Sequence, residues 1–253
     1  MSNKKYELYR FFLKDNIRQQ IDFSLTEQSR GIPAPPLQKP CPPDVMKIDL
    51  PDGKAALARL GGISIGDAIT RRQSVRQYSS SPLTIEELAA MLWSTQGVRE
   101  ILSSECALRT IPSAGARHAL ETYLAIGRVE SLASGLYRYL PLEGQLAQLS
   151  VDGRIMRKVA STCLGQGFVA TSAITFIWTA IPARMEWRYD LAAHKVIAIE
   201  AGHVCQNLYL ACESIHAGTC AIAAYDQGEC DRLIGVDGNE EFTIYIAPVG
   251  KIP

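Results

Sequence analysis

The 253-residue sequence predicts an α+β fold, in which helices pack on the faces of a central sheet. Three observations predict it. Capped amphipathic helices and short apolar runs rich in β-forming residues are mixed along the chain from residue 64 onward. Hydrophobic residues make up 47% of the sequence, which is enough for a sizeable core. The length suits one large domain or two small ones.

Residues 1–50 differ from the rest. The stretch "IPAPPLQKPCPP" is too rich in proline for a helix and predicts an extended arm that lies on another surface. Residues 4–30 are able to form one or two helices. We therefore expect an N-terminal helical segment and proline-rich arm over residues 1–50, followed by a folded domain over residues 51–253.

Capping signals place the first helices of that domain. Ser64 is expected to cap a short helix "IGDAITRR". Thr84 and Glu87 form a capping box at the start of "LTIEELAAMLWSTQG", and Gly97 ends that helix. Asp152 is expected to cap a helix in "DGRIMRKVASTCLG".

Strands and a long helix follow. The runs "ETYLAIG", "GLYRYLP", "AITFIWTAI" and "FTIYIAPVGK" predict strands. Residues 184–216 predict one long helix that is apolar nearly all round between Val196 and Leu210, as expected for a core helix. A short helix around "ECDRLIG" precedes the last strand.

Charge and composition limit the classes of partner that the chain is expected to bind. With 26 basic and 26 acidic side chains the chain has no net charge, which argues against nucleic acid or an acidic membrane surface as its main partner. No apolar segment follows the start "MSNKK", and the run "FVATSAITFIWTAIPA" is short for a membrane span. Seven cysteines without a CxxC pair fit reduced thiols. We expect a soluble cytoplasmic protein.

A basic cluster is the first candidate site. Arg72, Ser74 and Arg76 alternate in "TRRQSVRQYSSS", so an extended backbone would point all three to one side. Guanidinium groups and a hydroxyl match the oxygens of a phosphate monoester. The alternative is a solvated charge cluster at a helix end, and spacing alone leaves both open.

Two loops of small residues are the second candidate. Ser113, Ala114 and Gly115 in "IPSAGAR" would let the backbone approach a flat ligand closely, although a tight turn explains them as well. The stretch "AIAAYD" repeats the feature near the C-terminus. Together with one anion-binding cluster, these loops suit a planar phosphorylated cofactor.

The sequence gives little support for a nucleotide-binding loop, a catalytic nucleophile or a metal site. "LGQGFVA" lacks the third glycine of a dinucleotide-binding loop, and no GxSxG or Walker motif occurs. Cys205 and Cys212 lie two turns apart near His203, but buried helical cysteines are usually small core residues, so no metal site is predicted. Cys220 and His118 have no evident catalytic partner.

Four segments in this order resemble the nitroreductase-like flavoprotein family, and most closely its SagB-type dehydrogenase branch. They are "RRQSVRQYSSSPLTIEELAAMLWSTQG", "PSAGARHALETYL", "EAGHVCQNLYLACESIHAGTCAIAAYD" and "FTIYIAPVGK". The resemblance covers residues 64–251. It implies a mostly antiparallel sheet flanked by helices, in an intertwined homodimer with FMN bound at the subunit interface.

The resemblance also implies roles for individual residues. Those implied to hold the FMN phosphate and ribityl chain are Arg72, Gln73, Ser74 and Arg76, with Lys251 as a further phosphate contact. Those implied to lie by the isoalloxazine ring are Ser113, Ala114, Gly115 and Arg117, with Ala223 and Ala224 near its reactive edge and Gln166 at the ring or the dimer interface.

One position departs from the branch. Azoline-oxidising members carry a Lys–Tyr pair where this chain has Arg188 and Tyr189, the two catalytic candidates. Tyrosine exchanges protons, but arginine stays protonated and is a poor base. The alternative for "EWRYD" is an ordinary amphipathic helix surface.

Three functions are compatible with the sequence. The first is an FMN-dependent oxidoreductase that takes electrons from NADH or NADPH and passes them, in a ping-pong cycle, to a small acceptor such as a nitroaromatic or a quinone. The second is a dehydrogenase that modifies peptides together with partner proteins. The third is a flavin-binding protein without turnover.

Overall fold

The computed structural model describes residues 4–253 and contains nine strands. Their bounds are β1 Lys47–Asp49, β2 Val98–Ser103, β3 Cys106–Arg109, β4 Leu120–Ile126, β5 Gly135–Leu140, β6 Gln145–Val151, β7 Ile174–Ala180, β8 Ala217–Thr219 and β9 Phe242–Lys251. Seven of them form one sheet in the order β1-β6-β5-β4-β7-β9-β8, and every neighbouring pair is antiparallel. Strands β2 and β3 form a separate hairpin.

Nine α-helices surround the sheet in the described residues. They are α1 Lys4–Leu13, α2 Gly53–Leu60, α3 Ile65–Arg71, α4 Ile85–Gln96, α5 Ile155–Thr162, α6 Gly167–Thr171, α7 Ala183–Tyr189, α8 Ala193–Ser214 and α9 Gln227–Ile234. The predicted α+β class with a central antiparallel sheet is confirmed. The homodimer stays a prediction.

Capping chemistry sets several boundaries as the sequence predicts. The Ser64 hydroxyl accepts the Asp67 N–H at the start of α3. Thr84 and Glu87 exchange side-chain and backbone hydrogen bonds at the start of α4, and that helix ends at Gly97. Helix α5 begins later than predicted, because Asp152 accepts the Arg154 N–H and the first helical residue is Ile155.

The prediction of one helix over residues 184–216 is wrong. Asp190 adopts φ 49° and ψ −135°, which breaks the chain into α7 and α8. Helix α8 is also not buried all round: Ile199, Gly202, His203 and Gln206 lie on an exposed face. The apolar pattern of α8 therefore includes surface residues as well as core residues.

Two hydrophobic clusters lie on opposite faces of the sheet, because successive residues of a strand point to opposite sides. Trp178 of β7 packs in the cluster that contains α4 and α8. Its neighbour Ile177 packs in the cluster that contains α5 and α9. The sheet thus forms the middle layer between two layers of helices.

The proline-rich arm lies on the chain's own sheet. The carbonyl of Pro40 accepts from the guanidinium of Arg138 at 2.8 Å, and the Lys39 N–H donates to Glu121 at 2.8 Å. Strand β1, which follows the arm, pairs with β6 at one edge of the sheet. The division at residue 50 stays a prediction, although residues on both sides of it contribute to the same sheet.

Within residues 4–253, no helix combines the length and the apolar character that crossing a membrane requires. In the same residues, no group of three or more His, Cys, Asp or Glu side chains is arranged to hold a metal ion.

Candidate functional site

The basic cluster forms an extended stretch, residues 72–76, called here the edge segment. It leaves α3 and runs beside β8, where Ser74 pairs with Thr219 in a parallel bridge and the Val75 N–H donates to the Thr219 carbonyl at 2.9 Å. Val75 packs on Gly218 so closely that a Cβ on this glycine would lie 2.6 Å from the Cβ of Val75. The absence of a side chain on Gly218 therefore leaves the space that Val75 occupies. The side chains of residues 72, 74 and 76 alternate with Val75 and point away from Gly218.

Two members of the edge segment converge on Tyr209 of α8. The guanidinium carbon of Arg72 lies 5.3 Å from the centre of the Tyr209 ring. The Ser74 Oγ lies 3.0 Å from the Tyr209 hydroxyl, which also accepts the Ala221 N–H at 2.9 Å. Because that oxygen already accepts a hydrogen bond, Tyr209 is suited to donate to Ser74 and leave the serine hydrogen for a ligand.

The third member, Arg76, stacks on the ring of Phe168 with its guanidinium carbon 6.0 Å from the ring centre. Gln166, two residues before Phe168, donates to the Ala224 carbonyl at 3.1 Å and so contacts the loop that contains the exposed Ala223 and Ala224. The structure thus links the edge segment to the second small-residue loop through Tyr209, which contacts both Ser74 and the Ala221 amide.

Residues 113–118, called here the left-handed loop, have an unusual backbone. Gly115, Ala116 and His118 all have positive φ, at 57°, 53° and 48°. Non-glycine residues rarely adopt this conformation, and such strain concentrates at functional sites.

Both catalytic candidates lie against this loop. A Cβ on Gly115 would lie 2.7 Å from the Tyr189 hydroxyl and 2.9 Å from the Cδ of Arg188. A side chain at this position would therefore displace both residues, which fits the small residue predicted there. The structure thus joins the predicted Ser113–Gly115 turn to the predicted Arg188–Tyr189 pair, which lies about seventy residues away in the sequence.

Ser113 contacts a carboxyl group that sequence analysis did not single out. Its Oγ lies 2.5 Å from the Oε2 of Glu200 on α8 and accepts the His118 N–H at 2.9 Å. Glu200 is only 1% exposed, and burial raises the pKa of its carboxyl to about 7 against the opposing effects of the Ser113 hydrogen bond and of Arg109.

Two residues that are predicted to contact the cofactor form other interactions in the structure. Arg117 is buried, and its guanidinium donates to the carbonyls of Arg184 and Glu105 while it stacks on Trp187 at 4.6 Å. The Lys251 ammonium is paired with the Glu87 carboxylate and donates to the Ile215 carbonyl at 2.7 Å. A ligand contact by either residue would compete with these interactions, so both stay predictions.

The two halves of the predicted site lie at opposite flanks of α8. Glu200 contacts the left-handed loop, and Tyr209 contacts the edge segment. Nine residues separate them, which is about 14 Å along a helix and half a turn around it. Within one chain, therefore, α8 separates the two halves of the predicted site.

Three residues escaped the sequence analysis. Tyr209 and Phe168 support the arginines of the edge segment, and Glu200 holds Ser113. A glutamate inside the apolar stretch of α8 was the one signal that could have drawn attention to this position. The two aromatic residues look like ordinary core residues in the sequence.

Comparison with known proteins identifies the family. The profile described as "Nitroreductase family" matches residues 69–251, which is more than half of the chain. A relative in Methanocaldococcus jannaschii, which carries the name nitroreductase, is 32% identical over 208 residues, covering 82% of this chain and 98% of the relative. The chain belongs to the nitroreductase family. Family membership supports an oxidoreductase, as the motifs imply.

Solved structures agree with this assignment. A protein from Anabaena variabilis with the same family name is 25% identical with a TM-score of 0.66, covering 83% of this chain and 42% of that one. A second, from Ralstonia eutropha JMP134, has 22% identity and the same TM-score, with 87% and 99% coverage. The chain therefore spans less than half of the Anabaena protein but nearly all of the Ralstonia protein.

Proteins named for peptide processing are also similar. The trifolitoxin-processing protein of Rhizobium leguminosarum bv. trifolii is 25% identical over 154 residues, covering 59% of this chain and 36% of that protein. A chain of the Escherichia coli microcin synthetase McbBCD complex shares the fold with a TM-score of 0.61 at 17% identity, covering 76% and 74%.

Proposed function

We propose that this nitroreductase family member is an FMN-dependent oxidoreductase that uses NADH or NADPH to reduce a small organic acceptor such as a nitroaromatic or a quinone. The observation that carries the proposal is the edge segment. Within residues 4–253, no carboxylate forms an ion pair with the guanidinium of Arg72 or Arg76, and each group stacks on an aromatic ring instead.

These residues fit the phosphate end of FMN. Arg72 and Arg76 offer charge-assisted donors, and Ser74 offers a hydroxyl whose oxygen is supported by Tyr209. Gly218 lets the segment lie against β8, because any larger residue would push Val75 outward. The exposed Ala223 and Ala224 present a backbone without bulky side chains, two and three residues after Ala221, whose amide donates to Tyr209.

When bound, FMN supplies the hydride and electron transfer, in alternating half-reactions with the nicotinamide and the acceptor. The chain contributes binding and orientation. Arg72, Gln73, Ser74 and Arg76 are proposed to hold the phosphate and ribityl chain. Ser113, Ala114 and Gly115 are proposed to lie beside the ring.

We propose that the two halves of the site are completed across a homodimer. The position of Glu200 and Tyr209 on opposite flanks of α8 supports this, because α8 separates the left-handed loop from the edge segment of the same chain. Light scattering with FMN bound checks it. A monomeric mass at saturating FMN would contradict the dimer.

The visible absorption spectrum of the purified protein, before and after anaerobic NADH or NADPH, tests the main proposal. We expect a flavin band that bleaches with one of the two donors. Failure to retain FMN after incubation and gel filtration would contradict the proposal. A stable band that neither donor bleaches would favour a flavin-binding protein without turnover or the second candidate.

The second candidate is a SagB-type dehydrogenase that oxidises a peptide azoline together with partner proteins. Arg188 and Tyr189 favour it, because both pack on Gly115 of the left-handed loop. The similarity to the trifolitoxin-processing protein and to the microcin synthetase chain gives further support. Anaerobic bleaching of the flavin by an azoline-containing peptide, lost in Tyr189→Phe, would establish it.

A further inference from the structure

Glu200 is buried in a way that the fold does not explain. Its side chain is 1% exposed, its Oε2 contacts Ser113, and its Oε1 makes no hydrogen bond of good geometry among the described residues, although the nearby Ala119 N–H favours the ionised form and lowers the pKa. Buried polar atoms are nearly always paired, and an unpaired carboxylate oxygen is costly.

The charged groups around Glu200 make no hydrogen bond to it, because they are engaged elsewhere. Arg109 of β3 donates to Gln96 and to the Leu37 carbonyl, both at 2.7 Å. Arg184 of α7 donates to Glu121 of β4 at 2.5 Å. Both arginines favour the ionised form of Glu200 from a distance, without a hydrogen bond to it.

The His118 side chain adds no positive charge beside Glu200. Its Nε2 lies 3.1 Å from the Ala107 carbonyl, which assigns the ring proton to Nε2, and its Nδ1 has no partner in the described residues. Burial lowers the pKa of His118 to about 3, so the ring is neutral at physiological pH. The titratable group that faces Ser113 near neutral pH is thus Glu200.

The Ser113 hydroxyl has two arrangements. Its oxygen accepts the His118 N–H in both. When Glu200 is ionised, the hydroxyl hydrogen is donated to the carboxylate. When Glu200 is protonated, the carboxyl proton is donated to the second lone pair of Oγ, and the hydroxyl hydrogen becomes available to another acceptor.

An acceptor has room to bind there. Ser113 lines a cavity of about 320 Å³ together with Arg109, Ala116 and His118. The positive φ values of Ala116 and His118 shape the loop on this side. A hydrogen released by the Ser113 hydroxyl therefore has an open cavity to point into.

We propose that Glu200 is a pH-sensitive positioning residue of this site, which determines whether Ser113 donates its hydrogen to Glu200 or to a molecule bound in the adjacent cavity. If the bound molecule takes the serine hydrogen as a proton, the Glu200 proton passes to Oγ, and the carboxylate is left behind. Whether the bound molecule is the flavin ring or the acceptor rests on the proposed function. The titration of Glu200 does not depend on that function.

The first experiment uses the protein without FMN. Carbon-13 labelling of glutamate side chains allows each carboxyl to be titrated by NMR. We expect one resonance with an inflection near pH 7 in the wild type that is absent in Glu200→Gln. In Ser113→Ala the inflection should rise by about one pH unit, because the hydrogen bond to the ionised form is lost. A Glu200 resonance that titrates at its ordinary pKa would overturn the proposal.

The second experiment uses the FMN-loaded protein and follows the pH dependence of flavin reduction by the active nicotinamide. We expect the wild-type rate to change through pH 7, whereas Glu200→Gln stays at the low-pH level and Ser113→Ala has no inflection. Glu213→Gln, on the same helix, should keep the wild-type profile. An unchanged inflection in Glu200→Gln would overturn the proposal. Failure of the wild type and of every variant to retain FMN would instead refute the proposed function and leave the NMR titration decisive.

Discussion

Two groups of arginines in this molecule have opposite character. Arg76 is exposed and Arg72 half-buried; both stack on aromatic rings and have no carboxylate partner in the part of the chain that the structure describes. The second group is buried, and every member donates to backbone carbonyls or to carboxylates; it consists of Arg109, Arg117, Arg138 and Arg184.

The difference lies in the surroundings rather than in the residue type. The proline-rich arm supplies carbonyls at Leu37 and Pro40, which accept from the buried group. Proline has no N–H and cannot donate a hydrogen bond to a neighbouring strand. Carbonyls of a proline-rich arm therefore remain available to accept hydrogen bonds from guanidinium groups. A basic cluster therefore indicates a ligand site only where its donors are left unpaired, and this distinction yields four predictions.

The largest effect is expected in the buried group. Arg184→Met leaves Glu121 buried without its closest cation, which lies 2.5 Å away, and should lower the free energy of unfolding by about 3–5 kcal/mol. Urea denaturation measures it. Adding Glu121→Gln should recover part of the loss, since the unpaired charge is then removed. A loss below about 1 kcal/mol would mean that the two groups of arginines do not differ as described.

The first group, Arg72 and Arg76, should affect binding instead. Arg72→Ala combined with Arg76→Ala removes the charge-assisted donors and should weaken FMN binding at least ~100-fold, or about 3 kcal/mol, with little change in stability. Fluorescence titration of the apoprotein with FMN measures it. Arg71→Ala, the exposed last residue of α3, is the matched control and should bind normally. Unchanged affinity in the double variant would show that the phosphate binds elsewhere.

Glu200 extends the comparison to a buried acid. Its pKa is raised from 4.5 in the unfolded chain to about 7, so the folded state keeps a proton that the unfolded state releases. Stability is therefore lost as pH rises from about 4.5 through 7, by up to about 3 kcal/mol. Glu200→Gln should lack this loss and gain on the wild type between pH 5 and pH 8 in urea denaturation. An equal difference at both pH values would show that the carboxyl is ionised throughout.

The smallest effect concerns the hydroxyl of the edge segment. Ser74→Ala removes one donor and should weaken FMN binding about fivefold, or roughly 1 kcal/mol. Tyr209→Phe should produce a similar change through the same hydrogen bond, which is 3.0 Å long. Ser80→Ala, an exposed neighbour, serves as the control in the same titration. Additive losses in the double variant would indicate that the two hydroxyls act independently.

Local patterns predicted much of the fold. Caps at Ser64 and Thr84 and the strands around residues 120–126 and 174–180 depend on neighbouring residues, and the structure confirms them. Strands β1 and β6, the β2–β3 hairpin and helix α2 were not predicted, because their short or partly polar sequences have weak periodicity.

The site could be predicted only in part. The alternation of Arg72, Ser74 and Arg76 predicts a shared face from neighbouring residues alone. In the structure Arg72 and Ser74 contact Tyr209 and Arg76 contacts Phe168, so the shared phosphate site stays a prediction. The partner of Ser113 was not predictable, because Glu200 lies 87 residues away in the sequence. Arg117 lies in the same motif as Ser113, yet its guanidinium turns into the interior. Spacing gives no information about this direction.

The proline-rich arm has a consequence for the order in which the protein is built. Residues 32–43 leave the ribosome early, but their partners Arg109, Glu121 and Arg138 are synthesised some seventy to one hundred residues later. The first of these three partners is made only at residue 109, and the last follows at residue 138. The arm can therefore dock only after β3, β4 and β5 have been synthesised, although it precedes all three in the chain.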